Sequence, residues 1–302
     1  MAAWPSRVPS DFAEQALAAG VPVHWVEDGF LRSSGLGSDL LPPLSIIVDD
    51  LRPYFDPAGP SRLERILESE ELGPALCDRA AALRGAIVAA GIGKYGSGGE
   101  ASHLAVQPGR ETVLVIGQVE DDLSVQRGGG AVAGNLDLLT RARHAEPDAF
   151  LLYRPHPDVE AGHRSGAIPD EVALRLANQV VRGGSLDALL ARVDRVHVLT
   201  SLTGFEALLR GREVVAHGSP FHVGWGLTDD RGAPLPRRTR RLTLDQLVAG
   251  ALIIYPRYLD PEHGLPCTPE AFIRSMKGRR SRANWLVRMR RWQGRLRRVL
   301  SR

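Results

Sequence analysis

Three consecutive carboxylates, Glu120, Asp121 and Asp122, follow an apolar run at residues 113–116. Carboxylates can act as nucleophiles or as general acids and bases, so these side chains are candidates for catalysis. A short β-branched run bounded by glycine is typical of a buried strand, and open α/β sheets place ligand chemistry at the carboxyl ends of their strands. The sequence leaves open which of the three acids points into a cleft.

A second pair of carboxylates, Glu27 and Asp28, follows an apolar run at residues 21–26. If two lobes face each other, Glu27 can approach the loop of Asp122 across the cleft. Two facing carboxylates suit glycosyl transfer through a covalent intermediate, because one serves as nucleophile and the other as acid and base.

Arg154 and His156 follow another apolar run, at residues 150–153, and are expected at the same sheet edge as the acidic loop. A guanidinium can bind phosphate or carboxylate through two hydrogen bonds, and a nearby histidine can donate to phosphate or move a proton. The prolines beside His156 equally favour a loop in which both side chains make only local structural contacts.

A polar segment at residues 200–206 joins a predicted strand at 196–199 to a helix. Ser201 and Thr203 stand where hydroxyl groups cap helices. The backbone N–H groups at a helix start also bind anions such as phosphate. Capping alone explains these residues, whereas their position beside the other two loops favours a role in ligand binding.

Several common site types find no support in the sequence. The glycines at residues 128–130 could wrap a phosphate or form a flexible turn, but they match neither the P-loop pattern nor the dinucleotide fingerprint. No histidine pair has the helical spacing of a zinc site, and no Gly-x-Ser-x-Gly elbow indicates an acyl hydrolase.

The elements that must position these loops alternate between strand and helix. In the second half, strands are predicted at 113–116, 150–153, 196–199 and 213–216, and helices at 135–144, 186–190, 205–209 and 244–252. This βαβ series predicts a parallel, doubly wound sheet. The first hundred residues are sparser, with helices predicted at 11–19 and within 62–90, and strands at 21–26 and 44–48.

Length and composition favour a globular protein with two lobes. The chain has 302 residues, of which 43% are hydrophobic and 24% charged. Cys77 and Cys267 lack metal-ligand spacing and indicate a reducing compartment. The first residues lack the features of a secretory signal, and no apolar run is long enough to span a bilayer. We therefore expect a cytoplasmic protein.

The basic character of the chain is concentrated at its end. Residues 274–302 contain 12 Lys and Arg and no Asp or Glu, whereas the whole chain has a formal net charge of only +3. Apolar side chains recur there at three- or four-residue steps, which predicts a basic amphipathic helix that lies on an anionic membrane or docks on the protein. Nucleic acid is the weaker choice, because no reading module surrounds the basic block.

Nine motifs occur in a fixed order from about Trp4 to Pro269: VEDGFLRS, GSDLLPPLS, GQVEDD, NLDLL, RPHPDVEAG, TSLTGFEALLRG, PFHVGWGLTDD, RRLTL and YPRYLDP. Together they closely resemble the bacterial capsule polysaccharide biosynthesis proteins of the KpsC/LipB family. Members of that family often contain two transferase modules, and this chain resembles one module, more like the second because of its GQVEDD form.

The resemblance implies a GT-B-like α/β enzyme with two Rossmann-type lobes on parallel sheets. It implies a retaining β-Kdo glycosyltransferase that moves Kdo from CMP-Kdo to a Kdo-bearing lipid acceptor during synthesis of the capsular polysaccharide linker. On this basis we expect an acceptor-side lobe at residues 1–105, whose sheet could be incomplete, and a nucleotide-sugar-binding lobe at 106–260. A basic helical tail follows at 261–302.

The resemblance also implies residue roles. Related transferases hold their nucleophile in a Gln-x-x-x-Asp-x-Ser pattern, which makes Asp122 the implied nucleophile. Glu27 is the implied acid/base, and His156 contacts the donor phosphate or sugar. The implied donor-binding residues are Gln118, Ser124, Arg154, Pro157, Ser201, Thr203, Gly204 and Glu206. The implied acceptor-side residues are Asp28, Arg32 and Ser33. No metal or other cofactor is expected, because arginine, histidine and helix N-termini can stabilise the departing CMP.

The expected partners are CMP-Kdo, the lipid-linked Kdo acceptor, the anionic inner face of the cytoplasmic membrane through the basic tail, and other capsule assembly proteins. Two alternatives stay open. The chain could be a noncatalytic module that binds polysaccharide or lipid, or a degenerate partner of another capsule transferase.

Overall fold

The computed structural model describes residues 1–31, 43–92, 104, 107, 109–260 and 262–276. Its strands are β1 (Ala2–Ala3), β2 (His24–Asp28), β3 (Ser45–Asp49), β4 (Thr112–Ile116), β5 (Phe150–Arg154), β6 (Gln179–Val180), β7 (Arg195–Val198), β8 (Glu213–Ala216), β9 (Asp229–Asp230), β10 (Arg257–Leu259) and β11 (Pro266–Cys267). Its α-helices are α1 (Phe12–Ala18), α2 (Arg62–Ser69), α3 (Pro74–Ala90), α4 (Leu123–Gly128), α5 (Asn135–Ala145), α6 (Pro157–Glu160), α7 (Asp170–Ala173), α8 (Leu186–Leu190), α9 (Leu202–Leu209), α10 (Leu244–Val248) and α11 (Pro269–Met276).

Six parallel strands form the second sheet, in the order β6-β5-β4-β7-β8-β9. Strand β4 is central, and its Val115 lies opposite Tyr153 of β5 on one side and His197 of β7 on the other. All of β4 is buried, as expected for a central strand that is covered on both faces. The parallel sheet predicted from the βαβ series is confirmed.

The apolar sequence of β4 follows from its two covered faces. Val115 belongs to a cluster with Leu138 and Leu139 of α5. Its neighbour Leu114 belongs to a second and larger cluster, which continues into the first lobe. Because successive strand residues point to opposite faces, a strand with two buried faces favours apolar residues throughout, and four of the five residues of β4 are apolar.

Five strands form the first sheet, in the order β1-β2-β3-β10-β11, and the sheet is mixed rather than parallel. Among its described strands, β1 and β2 pair in parallel and the other neighbours pair antiparallel. The expectation of a parallel sheet in this lobe is corrected, because β3 pairs antiparallel with β2, with Trp25 opposite Asp49 and Asp28 opposite Ile46. Strand β10 also pairs antiparallel with β3, and antiparallel neighbours need no crossover helix.

The chain returns to the first lobe before its end. Helix α10 contacts α3, and the helix predicted at 244–252 continues from α10 into a π-helix at Ala249–Ile254. A Cβ added at Gly250 would lie 2.6 Å from Leu67 Cδ2 in α2, so glycine allows this close contact. The expected domain boundaries at residues 105 and 260 stay predictions, while β10 and β11 belong to the first sheet.

An aromatic cluster joins the two lobes. Phe30, just after β2, stacks on Phe221 with ring centroids 4.4 Å apart. It also meets Tyr54 at 4.9 Å and Phe205 of α9 at 6.2 Å. The carboxyl end of β2 is therefore packed against the helix that starts at the polar segment of the second lobe.

Two of the predicted acceptor-side residues, Arg32 and Ser33, lie outside the described residues. Residues 277–302, which make up most of the basic tail, also lie outside them. Within the described part of the chain, no helix has both the length and the apolar character needed to cross a bilayer.

Candidate active site

The loops after β4, β5 and β7 meet at the carboxyl edge of the second sheet. The Gly117 N–H donates to the Arg154 carbonyl oxygen at 2.8 Å, so the loops after β4 and β5 leave the sheet together. Gln118 Nε2 donates to Thr200 Oγ1 at 2.9 Å, and Gln118 Oε1 accepts from the Thr200 N–H at 2.7 Å. The side-chain amide of Gln118 thus joins the loop after β4 to the loop after β7, both as a donor and as an acceptor.

Thr200 extends this network toward the acidic loop. Its Oγ1 lies 3.3 Å from Ser124 Oγ, and Ser124 Oγ donates to Asp122 Oδ1 at 2.7 Å. Gln118, Asp122 and Ser124 were grouped from the sequence pattern, and the structure joins them through Thr200. The resulting chain of hydrogen bonds sets the position of the Asp122 carboxylate.

Asp122 is the N-cap residue of α4. Its Oδ1 accepts from the Ser124 N–H at 2.9 Å as well as from the Ser124 hydroxyl, so the start of the helix holds one carboxylate oxygen. The side chain is exposed, and among the described residues no group donates to Oδ2. The carboxylate is therefore oriented and accessible.

The other two acids of the loop have structural partners. Glu120 Oε1 accepts from the Asn135 N–H at 2.7 Å, at the start of α5. The Asp121 carboxylate accepts from Arg164 Nε at 3.2 Å and from Ser165 Oγ at 3.0 Å. Both acids bind residues of other segments, whereas the Asp122 carboxylate accepts only from Ser124, at the start of its own helix, among the described residues.

The segment after β5 places Arg154 and His156 at the same edge. His156 is the N-cap of α6, and its Nδ1 accepts from the Asp158 N–H at 3.1 Å. A neutral imidazole that accepts at Nδ1 carries its proton on Nε2, so this ring can donate to an anion. Arg154 Nη2 donates to the Gly184 carbonyl oxygen at 3.0 Å, and Pro157 occupies the first helical position.

The polar segment after β7 starts α9 as its residue types suggest. Ser201 is the N-cap, and its hydroxyl accepts from the Thr203 N–H at 3.2 Å. Thr203, Gly204 and Glu206 are buried in the first turns of the helix. The structure confirms capping, and the role of these residues in donor binding stays a prediction.

The buried ring of His222 leaves no room for a side chain at Gly204. A Cβ at this position would lie 2.5 Å from His222 Nε2. His222 is fully buried, and neither ring nitrogen has a hydrogen-bond partner among the described residues. Burial, together with the charge of Arg238, lowers the pKa of His222 to about 3, so the ring is neutral at physiological pH.

The acid/base candidate lies in the other lobe. Glu27 is a half-buried residue of β2, opposite Ile47, and Asp28 follows it opposite Ile46. The end of β2 reaches α9 through Phe30. The approach of Glu27 to Asp122 stays a prediction.

Comparison with known proteins identifies the family. The family described as "Capsule polysaccharide biosynthesis protein" matches residues 1–86 and 92–258. The chain belongs to this family. The membership predicted from the nine motifs is confirmed.

Two curated relatives are matched by this chain over only part of their own lengths. Capsule polysaccharide modification protein LipA of Neisseria meningitidis serogroup B is 46% identical over 251 residues, which cover 83% of this chain and 35% of LipA. Lipopolysaccharide-processing protein LpsZ of Rhizobium meliloti is 45% identical over 249 residues, which cover 80% of this chain and 56% of LpsZ. The chain thus spans about a third of LipA and just over half of LpsZ.

Two solved structures share the fold over most of the chain. The β-Kdo 2,4 transferase of Thermosulfurimonas dismutans KpsC is 35% identical with a TM-score of 0.80, and covers 92% of this chain and 86% of its own. The β-Kdo 2,7 transferase of the same protein is 32% identical with a TM-score of 0.74, and covers 91% and 83%. The GT-B-like α/β fold predicted for this capsule-family chain is confirmed.

The sequence did not single out two residues that organise the site. Thr200 links Gln118 to Ser124, although it was seen only as the start of a polar segment. Asn135 was seen only as a helix start, yet its Oδ1 accepts from the Gln118 N–H at 2.8 Å and its Nδ2 donates to the Gln118 carbonyl oxygen at 2.7 Å. The sequence signal that could have identified them is a polar side chain directly after a predicted strand, for Thr200, or directly after a glycine, for Asn135.

Proposed function

We propose that this chain is a retaining glycosyltransferase that moves Kdo from CMP-Kdo to a Kdo-bearing lipid acceptor in synthesis of the capsular polysaccharide linker. Family membership and the similarity to two β-Kdo transferase structures support the class of reaction. The hydrogen-bonded chain Gln118–Thr200–Ser124–Asp122 carries the proposal, since it presents an exposed carboxylate at the carboxyl edge of the sheet.

Asp122 is the proposed nucleophile. Its carboxylate oxygen attacks C2 of Kdo, the C2–O bond to the phosphate breaks, and CMP leaves with the electron pair. Glu27 then takes the proton of an acceptor hydroxyl, whose oxygen attacks C2 and displaces Asp122. Two inversions at C2 give net retention. The structural bonds of Glu120 and Asp121 favour Asp122 among the three acids.

The departing CMP needs stabilisation of negative charge. The Nε2 proton of His156, the guanidinium of Arg154 and the start of α9 at Ser201 are the proposed donors. The described residues contain no group of three His, Cys, Asp or Glu side chains that could hold a metal ion, and catalysis without a metal stays a prediction.

The deciding experiment measures CMP release from CMP-Kdo with a synthetic Kdo-lipid acceptor. Asp122→Asn is the informative variant, because the asparagine oxygen can still cap α4 while the nucleophile is lost. We expect a loss of about 10³-fold or more with the fold unchanged, as for removal of a covalent nucleophile. Asp121→Asn, in the same loop, is the matched comparison, and we expect it to lose far less activity.

The other outcomes separate the alternatives. A folded wild type that binds CMP but releases none would point to a degenerate partner or a need for further sequence. A folded protein without turnover or CMP binding would favour a noncatalytic binding module. Asp121→Asn losing more activity than Asp122→Asn would assign the nucleophile to Asp121.

The basic tail is proposed to hold the enzyme at an anionic membrane surface, with about 1 kcal/mol from each basic residue near the surface. Phe272 and Ile273 of α11 are buried, so a deletion should start after Met276. We expect removal of residues 277–302 to lower co-sedimentation with anionic vesicles while turnover of a soluble acceptor is kept. Unchanged sedimentation would disprove the membrane role.

A further inference from the structure

The sequence left open whether the glycines at residues 128–130 form a phosphate-binding loop. In the structure, Gly128 lies at a contact between α4 and three other segments. Gly128 ends α4, and its carbonyl oxygen accepts from the Ser219 N–H at 2.8 Å. A Cβ at Gly128 would lie 3.1 Å from Thr200 Cγ2 and 3.5 Å from the Phe55 carbonyl oxygen. The far end of α4 is thus in contact with the loop after β7, the loop after β8 and the first lobe.

An ion pair links the two lobes at this end of α4. Arg127, in the last turn of α4, donates from Nη1 to Asp56 Oδ2 of the first lobe at 2.8 Å. Asp56 is only 6% exposed. Its Oδ2 also accepts from Arg52 Nη1 at 2.9 Å, and its Oδ1 accepts from the Ala58 N–H at 3.0 Å. A buried carboxylate shared by two guanidinium groups is a firm anchor, because its geometry is fixed from several sides.

The loop that holds Asp56 is itself fixed. Asp49, 1% exposed, accepts from the N–H groups of Leu51, Arg52 and Arg62 at 2.7–3.0 Å. Arg237 Nη2 donates to the Pro57 carbonyl oxygen at 2.8 Å. The loop that carries Asp56 is therefore held by hydrogen bonds of its own, independent of α4.

Helix α4 connects this anchor to the proposed nucleophile. It has six residues, about 9 Å at 1.5 Å per residue. Asp122 caps one end, and Arg127 is bound to Asp56 at the other. A helix this short moves as a unit, so a change at one end displaces the other.

We propose that Asp56 and Arg127 are positioning residues that hold α4 against the first lobe and so keep the Asp122 carboxylate in its reactive place. The inference rests on the proposed function, since it assigns these residues to the same reaction. It also means that the placement of the nucleophile in one lobe depends on the contact with the other lobe.

The test compares two arginines that bind the same carboxylate oxygen. Arg127→Ala removes the link to α4, whereas Arg52→Ala removes a similar ion pair within the loop and leaves α4 untouched. The two side chains are 36% and 39% exposed, and Asp56 keeps one arginine in either variant, so both should fold. We expect Arg127→Ala to lower kcat by about 10-fold to 100-fold, because a displacement near 1 Å can cost about 100-fold in rate.

Three further results are expected. KM for CMP-Kdo changes by less than about threefold in Arg127→Ala, since the donor contacts proposed here are elsewhere, and kcat of Arg52→Ala stays within about twofold of wild type. Arg127→Lys, which keeps the charge, recovers part of the lost kcat. Equal losses of kcat in Arg127→Ala and Arg52→Ala, or an unchanged kcat in a folded Arg127→Ala, would overturn the proposal.

A readout without turnover separates this proposal from the proposed function. Amide hydrogen exchange of Leu123–Gly128 is expected to be faster in Arg127→Ala than in wild type and unchanged in Arg52→Ala. If wild type has no turnover, the proposed function fails, and the exchange comparison still decides whether Arg127 holds α4. Equal exchange of α4 in wild type and Arg127→Ala would overturn the positioning role.

Discussion

Among the described residues, the first lobe buries three carboxylates, Asp49, Asp56 and Glu64, whereas the second lobe buries three histidines and one carboxylate, Glu206. In the first lobe, Asp49 and Asp56 are bound by backbone N–H groups or arginines, and Glu64 accepts from Arg237 and Arg238. In the second lobe, His197 of β7 and His217, just after β8, lie side by side, with His197 Nδ1 3.1 Å from His217 Nε2. The buried carboxylates Asp49, Asp56 and Glu64 therefore have hydrogen-bond donors around them, including Arg237 and Arg238 from the second half of the chain, whereas burial keeps His197 and His217 neutral.

The two proposed catalytic carboxylates also differ in what fixes their positions. Glu27 is a strand residue, and its position is fixed by the pairing of β2 with β3. Asp122 lies in a loop, and side chains of Ser124, Thr200 and Gln118 fix its position. Backbone pairing is insensitive to most side-chain changes, so the nucleophile should be the more easily disturbed of the two.

The largest effect expected from this comparison is a loss of stability in mild acid that begins in the second lobe. Burial is the main cause that lowers the pKa of His197 and of His217 to about 4 each. An unfolded histidine titrates near 6.5. Between pH 6.5 and about 4 the unfolded chain therefore binds more protons than the folded chain, and stability falls as the pH falls through this window.

The loss should amount to several kcal/mol, since each unit of pKa shift corresponds to about 1.36 kcal/mol. Urea unfolding at pH 7, 6 and 5 measures the slope, and hydrogen exchange shows whether β4 opens before β3. His217→Asn should flatten the slope, while His144→Asn, at an exposed helix end, should not. A slope that stays flat in wild type from pH 7 to 5 would contradict the contrast between the lobes.

The next largest effect separates the roles of the two catalytic carboxylates. Phosphate is a good leaving group, so the first step should not require Glu27, whereas the second step needs it to remove the acceptor proton. Glu27→Gln is expected to release about one equivalent of CMP rapidly and then to turn over 10²-fold or more slowly. Quench-flow measurement of CMP and intact-protein mass spectrometry test this.

Asp122→Asn is the control for that experiment, because it should show neither the rapid initial release of CMP nor an increase in protein mass. The mass increase in Glu27→Gln should correspond to one Kdo on a peptide that contains Asp122. A Glu27→Gln enzyme with normal steady-state turnover would remove Glu27 from the mechanism and leave the acid/base to another residue.

Tyr255 offers a smaller test of the carboxylate network in the first lobe. Its hydroxyl donates to Asp49 Oδ2 at 2.6 Å, and Asp49 keeps three N–H donors without it. Tyr255→Phe should therefore cost only about 2 kcal/mol in the free energy of unfolding, the value of one hydrogen bond to a charged group. CMP release should be unchanged in the folded variant. A loss of activity without a loss of stability would mean that Asp49 influences the site directly.

The success of the sequence analysis differs between the lobes for physical reasons. The strand predicted at 113–116 became Thr112–Ile116, and the helix at 186–190 was confirmed without change, because buried β-branched runs and capped helices are local signals. The pairing of β3 with β10 joins residues about two hundred positions apart, as Ile46 and Arg257 show. No local pattern encodes such a pairing, so the mixed sheet was not predicted.

The same distinction holds within the candidate site. Gln118, Asp122 and Ser124 were identified together because they match the Gln-x-x-x-Asp-x-Ser pattern of the family that the sequence resembles, a pattern confined to a short stretch of the chain. Thr200 is 82 positions from Gln118, and only the meeting of β4 and β7 in the sheet brings the two together. The residue types of the site could be read from the chain, whereas their linkage depends on the tertiary fold.

The smallest expected effect concerns that linkage. Thr200→Val keeps the shape of the side chain but leaves Gln118 Nε2 and Ser124 Oγ without their partner, while Thr200→Ser keeps the hydroxyl. We expect kcat to fall about tenfold in Thr200→Val and less than threefold in Thr200→Ser, since about 1.4 kcal/mol corresponds to a factor of ten and lies within the net value of the two lost hydrogen bonds. Equal rates in the two variants would show that the side chain acts only by packing, and that Asp122 is held by the α4 cap alone.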